Sequence, residues 1–137
     1  MSVGRSHERA YAFDADFIID IEKRIATSLD LFRRLDAGGH DLLLSVVAYA
    51  EYYSGVWRGV RPAMDDLIDS LRLIDVTEPI AAQTARYRLE FKTRGRPLQL
   101  MDCLIAATAR ELGATLVTRN LRDYPMTDIQ IVSPGAA

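Results

Sequence analysis

Four apolar runs of this 137-residue chain end in, or lead directly to, an acid or an amide. They are Phe13-Asp14-Ala15-Asp16, Leu44-Ser45-Val46 leading to Glu51, Met101-Asp102-Cys103, and Val117-Thr118-Arg119-Asn120 leading to Asp123. Three are strand-like and deliver an oxygen ligand near their C-terminal ends; the remaining acid, Asp102, falls on a helix. Brought together, these groups would line one pocket with carboxylates drawn from distant parts of the chain. Carboxylates crowded in this way repel and raise one another's pKa, so a site that keeps them ionised calls for a hard divalent cation, Mg²⁺ or Mn²⁺. No histidine or cysteine competes for the ligand role. His7 lies near the N-terminus, His40 follows Gly38-Gly39, and the lone Cys103 sits among apolar neighbours as a small core residue.

Apolar runs alternate with amphipathic stretches, which predicts strands near 11–14, 41–45, 73–76, 114–118 and 129–132. Helices are predicted over 17–36 in more than one segment, 46–57, 62–72, 78–93 and 98–112. Such alternation makes an α/β protein, a three-layer α/β/α sandwich with a mainly parallel central sheet of four to five strands. Leu42-Leu43-Leu44 and Leu116-Val117 show no polar alternation, as expected of strands covered on both faces. In open α/β sheets ligands bind beyond the carboxyl ends of the strands, and Asp14, Ser45 and Thr118 stand at such ends. Asp102 shares a helical face with Leu98, Met101, Ile105, Ala109 and Leu112, so it is expected to be drawn into the buried side. Glu51 lies on a helix launched directly from the second strand.

Each of these residues also has an ordinary reading. Asp16, more readily than Asp14, is a helix N-cap; Asp20 and Asp36 read as solvated helix-face acids; Glu51 is a surface glutamate; Asp102 pairs with an arginine such as Arg119; Asn120 and Asp123 are turn residues. Turn chemistry does not explain acids on two different helices aimed at one sheet edge.

At 49% hydrophobic, with 17 Lys+Arg against 19 Asp+Glu, the chain suits one domain over 10–137, preceded by a loose extension at 1–9. So even a balance makes a polyanion partner depend on a local basic patch. No signal peptide or membrane-length apolar run is apparent, and a single cysteine suits a reducing cytoplasm.

These residues resemble the PIN domain and, within it, the VapC-type ribonuclease toxins of prokaryotic toxin–antitoxin systems. The resemblance runs from about Ala12 to Pro134. It rests on Phe13-Asp14-Ala15-Asp16-Phe17-Ile18-Ile19-Asp20, on Leu44 to Tyr52 with Gly55, on Asp102 to Ala109 with Gly113, and on Leu116 to Tyr124. It implies an acidic triad of Asp14, Glu51 and Asp102, with Asp14 and Asp102 as direct metal ligands, and Asn120 or Asp123 completing the catalytic set. It further implies Mg²⁺- or Mn²⁺-dependent endonucleolytic hydrolysis of RNA that leaves a 5′-phosphate, a cognate VapB-like antitoxin, and a homodimer. Ala15 and Ala48 replace hydroxyl residues usual in the family, which removes hydrogen bonds around the ligands.

For RNA, Arg119 and Arg122 are the substrate-binding candidates, because they flank Asn120 in the turn that borders the site. Arg86, Arg88, Lys92, Arg94 and Arg96 precede the Asp102 helix and read in part as a solvated, salt-bridged face. Tyr49, Tyr52, Tyr53 and Trp57 read as packing residues before base-stacking ones. Two alternatives stay open. A degenerate PIN domain would bind RNA or antitoxin without cutting. A haloacid-dehalogenase-like phosphatase would use Asp14 as nucleophile, but needs a pocket lysine where this chain offers only Lys23 and Lys92.

Overall fold

The computed structural model describes residues 9–135. Its sheet contains β1 (Ala10–Phe13), β2 (Asp41–Ser45), β3 (Arg72–Ile74), β4 (Thr115–Val117) and β5 (Ile131–Val132). The flanking helices are α1 (Ala15–Glu22), α2 (Ala26–Ala37), α3 (Val46–Tyr53), α4 (Pro62–Asp69), α5 (Glu78–Thr93) and α6 (Leu100–Glu111). The expected mainly parallel sheet is parallel throughout, in the order β3-β2-β1-β4-β5. The extension expected at 1–9 lies outside the described residues except for Arg9, whose N–H donates to His40 Nδ1 at 3.1 Å. Among the described residues no helix is long and apolar enough to cross a membrane.

From β1 the chain builds outward to β2 and β3, then returns to lay β4 and β5 on the other side. β1 is therefore the point where strand order reverses, the place where such sheets bind ligands. Phe13 pairs with Leu44 on one side and with Val117 on the other, so the residues that follow, Asp14, Ser45 and Thr118, emerge side by side. Successive residues Leu43 and Leu44, and Leu116 and Val117, are all fully buried. With a two-residue period that requires cover on both faces of the sheet.

Several helices differ in extent from the sequence reading. The 17–36 stretch breaks at Arg24, held in the left-handed region at φ 59°, and at the extended Ile25. The helix expected to run to 57 stops at Tyr53, because Ser54 Oγ donates to the Glu51 carbonyl at 2.7 Å and Gly55 follows. The loop beyond is pinned, with Gly59 N–H donating to Asp65 Oδ2 at 2.9 Å and Arg58 bound to the Tyr53 hydroxyl at 3.1 Å. This leaves Trp57 off the helix and 85% exposed. The helix expected over 62–72 ends at Asp69, since pairing of Arg72 with Leu43 draws the next residues into β3.

The core is close-packed around the central strands, so truncating a fully buried side chain there leaves a cavity. Leu116→Ala is expected to destabilise the chain by about 2–5 kcal/mol, read from the urea midpoint, without changing the fold.

Candidate metal centre at the carboxyl edge of the sheet

Asp14 follows the last residue of the central strand and is 3% exposed. Its own N–H donates to the Val117 carbonyl at 3.4 Å, tying the turn to β4. Asp14, not Asp16, caps α1: Oδ1 accepts the Phe17 N–H at 2.9 Å. The other oxygen, Oδ2, accepts from the Thr118 hydroxyl at 2.5 Å, and Thr118 Oγ1 in turn accepts the Asn120 N–H at 3.0 Å. Register explains this chain of bonds, because β1 and β4 end level with each other. Burial pushes the Asp14 carboxyl up to about 7, against the pull of the Thr118 and Phe17 donors, with Asp16 and Asp102 adding repulsion.

Asp102 lies in the first turn of α6 and is half-buried. Its carboxyl is pushed up to about 6, first by burial and then by Asp123 and Asp16, while the Tyr124 hydroxyl pulls the other way. Glu51, half-buried on α3, is raised by burial and by Asp102 and Asp16. Carboxylates from β1, α3, α6 and the 3-10 turn Leu121–Asp123 thus act on one another at this edge. Two residues of the arrangement were not assigned from sequence. Asp16 contributes to the shifts of Asp14, Glu51 and Asp102, and the only hint was the Asp-x-Asp spacing. Tyr124 is buried, and the rise of its hydroxyl is set by burial followed by Asp14, Asp102, Glu51 and Asp123; nothing in the sequence distinguishes it from a core tyrosine.

The Asn120 side-chain amide donates to Asp16 Oδ2, whereas Asp123 is the largest charge acting on Asp102. Arg119 does not pair with Asp102. Its Nε and one terminal nitrogen grip Asp20 at 2.7 and 3.0 Å, and Asp20, expected to be a solvated acid, is 3% exposed. A carboxylate can be buried there because a guanidinium fork satisfies both oxygens. The Arg122 carbonyl accepts from Arg96 at 2.6 Å, and its side chain forms no hydrogen bond or ion pair among the described residues. The Asp102 helix buries Cys103, Ile105, Ala106 and Ala109, but Met101 and Leu112 are exposed. The expected stripe is therefore rotated, with α6 starting only at Leu100 and Leu98 preceding it.

Among the described residues no three carboxylate, imidazole or thiolate side chains converge closely enough to enclose an ion as they stand. The donor chemistry nonetheless fits a hard cation. The set offers oxygen only, its members repel one another, and Arg119, on which Asp16 and Asp14 also act, is already engaged by Asp20.

An all-parallel sheet with clustered carboxylates at its switch point is the architecture of a PIN-like α/β protein. The PIN-domain family profile matches residues 11–126. Ribonuclease VapC2 of Haemophilus influenzae is 27% identical over 119 residues, 83% of this chain and 89% of its own. Ribonuclease VapC19 of Mycobacterium tuberculosis is 30% identical over 96 residues, 70% of this chain and 77% of its own. Among solved structures, VapBC2 from Rickettsia felis bound to a DNA fragment from its promoter aligns with a TM-score of 0.78 at 22% identity. That alignment covers 90% of this chain and 98% of the other. FitAcB from Neisseria gonorrhoeae aligns with a TM-score of 0.74 at 24% identity, over 93% and 99% of the two chains. The chain belongs to the PIN-domain family and, within it, to the VapC-type toxins.

The buried acids set a pH dependence. With Asp14 raised from 3.8 to about 7 and Asp102 to about 6, the folded chain holds more protons than the unfolded one between these values. This contribution to stability is fully present below pH 3.8 and is lost as pH rises through about 7. Thermal melts of metal-free protein are expected to show that loss. Asp14→Asn should flatten it and recover about 1–3 kcal/mol at pH 8, from the ~1.4 kcal/mol that each pKa unit represents.

Proposed function

We propose that this chain is a metal-dependent endoribonuclease, the toxin of a VapBC-type module. The observation that carries this reading is a buried carboxylate, Asp14, raised to about 7 and faced by further acids, with no ion pair of its own among the described residues. Asp14 and Asp102 would hold Mg²⁺ or Mn²⁺, with Glu51 beside them. The cation would supply Lewis acidity toward water and toward a phosphate oxygen. The protein's own groups do the rest. Thr118 and the Phe17 N–H orient the Asp14 carboxylate. Asn120 holds Asp16, and Glu51, raised by burial and by Asp102 and Asp16, stands beside the ligands to take a proton.

In the reaction a water oxygen forms a bond to phosphorus and its proton passes to Glu51. The bond from phosphorus to the 3′-oxygen breaks and that oxygen takes a proton from solvent water, leaving a 3′-hydroxyl and a 5′-phosphate. No covalent enzyme intermediate is required. Arg122, with its side chain unengaged among the described residues, is the better phosphate contact; Arg119 has only the edge of its guanidinium that faces away from Asp20.

The reading includes a VapB-like antitoxin and a second copy of the chain as partners, working in the cytoplasm. Two apolar grooves are available to such partners. One, of about 640 Å³, lies between α5 and α6 beside the exposed Leu89 and Leu100. The other, of about 490 Å³, is lined by Ile21, Leu29, Phe32, Met64 and Leu67 and bordered by Arg24, Arg33 and Arg61.

Antitoxin-free protein incubated with a mixed RNA pool is expected to cut it with Mg²⁺ or Mn²⁺ and not with EDTA. Asp102→Asn should lower the rate by at least about 10²-fold with no loss of fold by circular dichroism. Intact RNA with the wild-type protein, or equal cutting by the variant, would overturn the assignment.

A further inference from the structure

The segment 118–120 leaves the end of β4 and carries the two polar residues closest to the acids. Backbone bonding fixes it only at its ends: Thr118 N–H donates to the Val132 carbonyl at 3.1 Å, and Asp123 N–H to the Asn120 carbonyl at 3.0 Å. Three consecutive side chains there each bond a different acid along the chain's first helix, from its N-cap to its last turn. Thr118 binds Asp14, Arg119 binds Asp20 and Asn120 binds Asp16. Two of these bonds end on acids of the cluster, which a bound cation would draw toward itself. The third does not, because Asp20 acts on none of the shifted carboxylates at the edge.

We propose that Asp20 is a positioning residue, whose ion pair with Arg119 fixes where Thr118 and Asn120 stand relative to the acidic cluster. The carboxylate is fully used: Oδ1 accepts one Arg119 nitrogen at 3.0 Å, and Oδ2 accepts Arg119 Nε at 2.7 Å and Ser28 Oγ at 3.2 Å. Ser28, itself 1% exposed, belongs to α2, so the pair ties the 118–120 segment to both of the first two helices. Bidentate pairing sets the plane of the guanidinium as well as its distance, which a single point contact does not. Asp20 is buried in this pair while the Arg119 side chain is 51% exposed, so solvent screens it on one side and its net contribution to stability is small; its main effect here is on geometry. This inference rests on the ribonuclease reading.

The test uses the full chain, with Mn²⁺ affinity by calorimetry and RNA cleavage measured side by side for Asp20→Asn, Arg119→Ala, Arg119→Lys and the Asp20→Asn/Arg119→Ala double variant. Asp20→Asn and Arg119→Ala are each expected to weaken Mn²⁺ binding and lower kcat by about 10–100-fold, with KM for RNA within about two-fold. The double variant should be no worse than the poorer single one, since both remove the same link. Arg119→Lys keeps the charge pair but not the fork; it should fold as wild type and lose part of the Mn²⁺ affinity, which keeps the proposal testable if Asp20→Asn does not fold. Wild-type Mn²⁺ affinity and kcat in the folded variants would overturn it, as would an Arg119→Ala effect confined to KM. A wild-type protein that neither binds Mn²⁺ nor cuts RNA would instead sink the ribonuclease reading, and this inference with it.

Discussion

A carboxylate buried at the end of the central strand, with no ion-pair partner among the described residues, is the constraint around which this molecule is organised. Burial raises the Asp14 carboxyl to about 7 even though a hydroxyl and a backbone N–H both donate to it. Those donors are placed by the fold. The Phe17 N–H comes from the first turn of α1, and Thr118 stands level with Asp14 because β1 and β4 end in the same register. Other acids then surround it from α1, α3 and α6, each raising the cost of charge on its neighbours. A sequence selected for stability alone would not gather carboxylates that raise one another's cost of ionisation. Arg119, whose guanidinium is acted on by Asp16 and Asp14 as well, is turned to Asp20.

The arrangement separates two kinds of acid that look alike in sequence. Asp20 is buried and fully neutralised, so it serves as framework. Asp14, Asp102 and Glu51 are buried or half-buried and held above the usual carboxylate range, so they store repulsion that a divalent cation would relieve. The same logic explains why α1 can begin so abruptly after β1: its capping group is also the central carboxylate of the cluster.

Much of the fold was legible because the inner strands are unbroken apolar runs, a pattern that only a sheet covered on both faces produces. The 41–45 strand and the 78–93 helix have the expected limits. Helix ends set by tertiary bonds were not legible. The sheet partner that ends α4 is far away in sequence, whereas α3 stops short of Trp57 at a local signal, Ser54-Gly55, that the 46–57 expectation ran past. Asp14, Glu51 and Asp102 each have an ordinary reading alone and were singled out by their joint arrangement, acids from a strand end and two helices aimed at one sheet edge. Asp16 and Tyr124 were passed over because a cap and a core tyrosine account for them singly. Asp20 was misread because helical position alone does not reveal an arginine 99 residues away.

The most direct measurement is proton release when Mn²⁺ binds the metal-free protein at about pH 6.5, obtained from calorimetry in buffers of different ionisation enthalpy. Ligands must lose their protons to bind a cation, and with Asp14 near 7 and Asp102 near 6 the pocket holds protons at that pH. The expected result is release of about one proton per ion, much reduced in Asp14→Asn. Absence of Mn²⁺ binding, or binding without proton release, would contradict a buried, mutually repelling carboxylate cluster as the metal site.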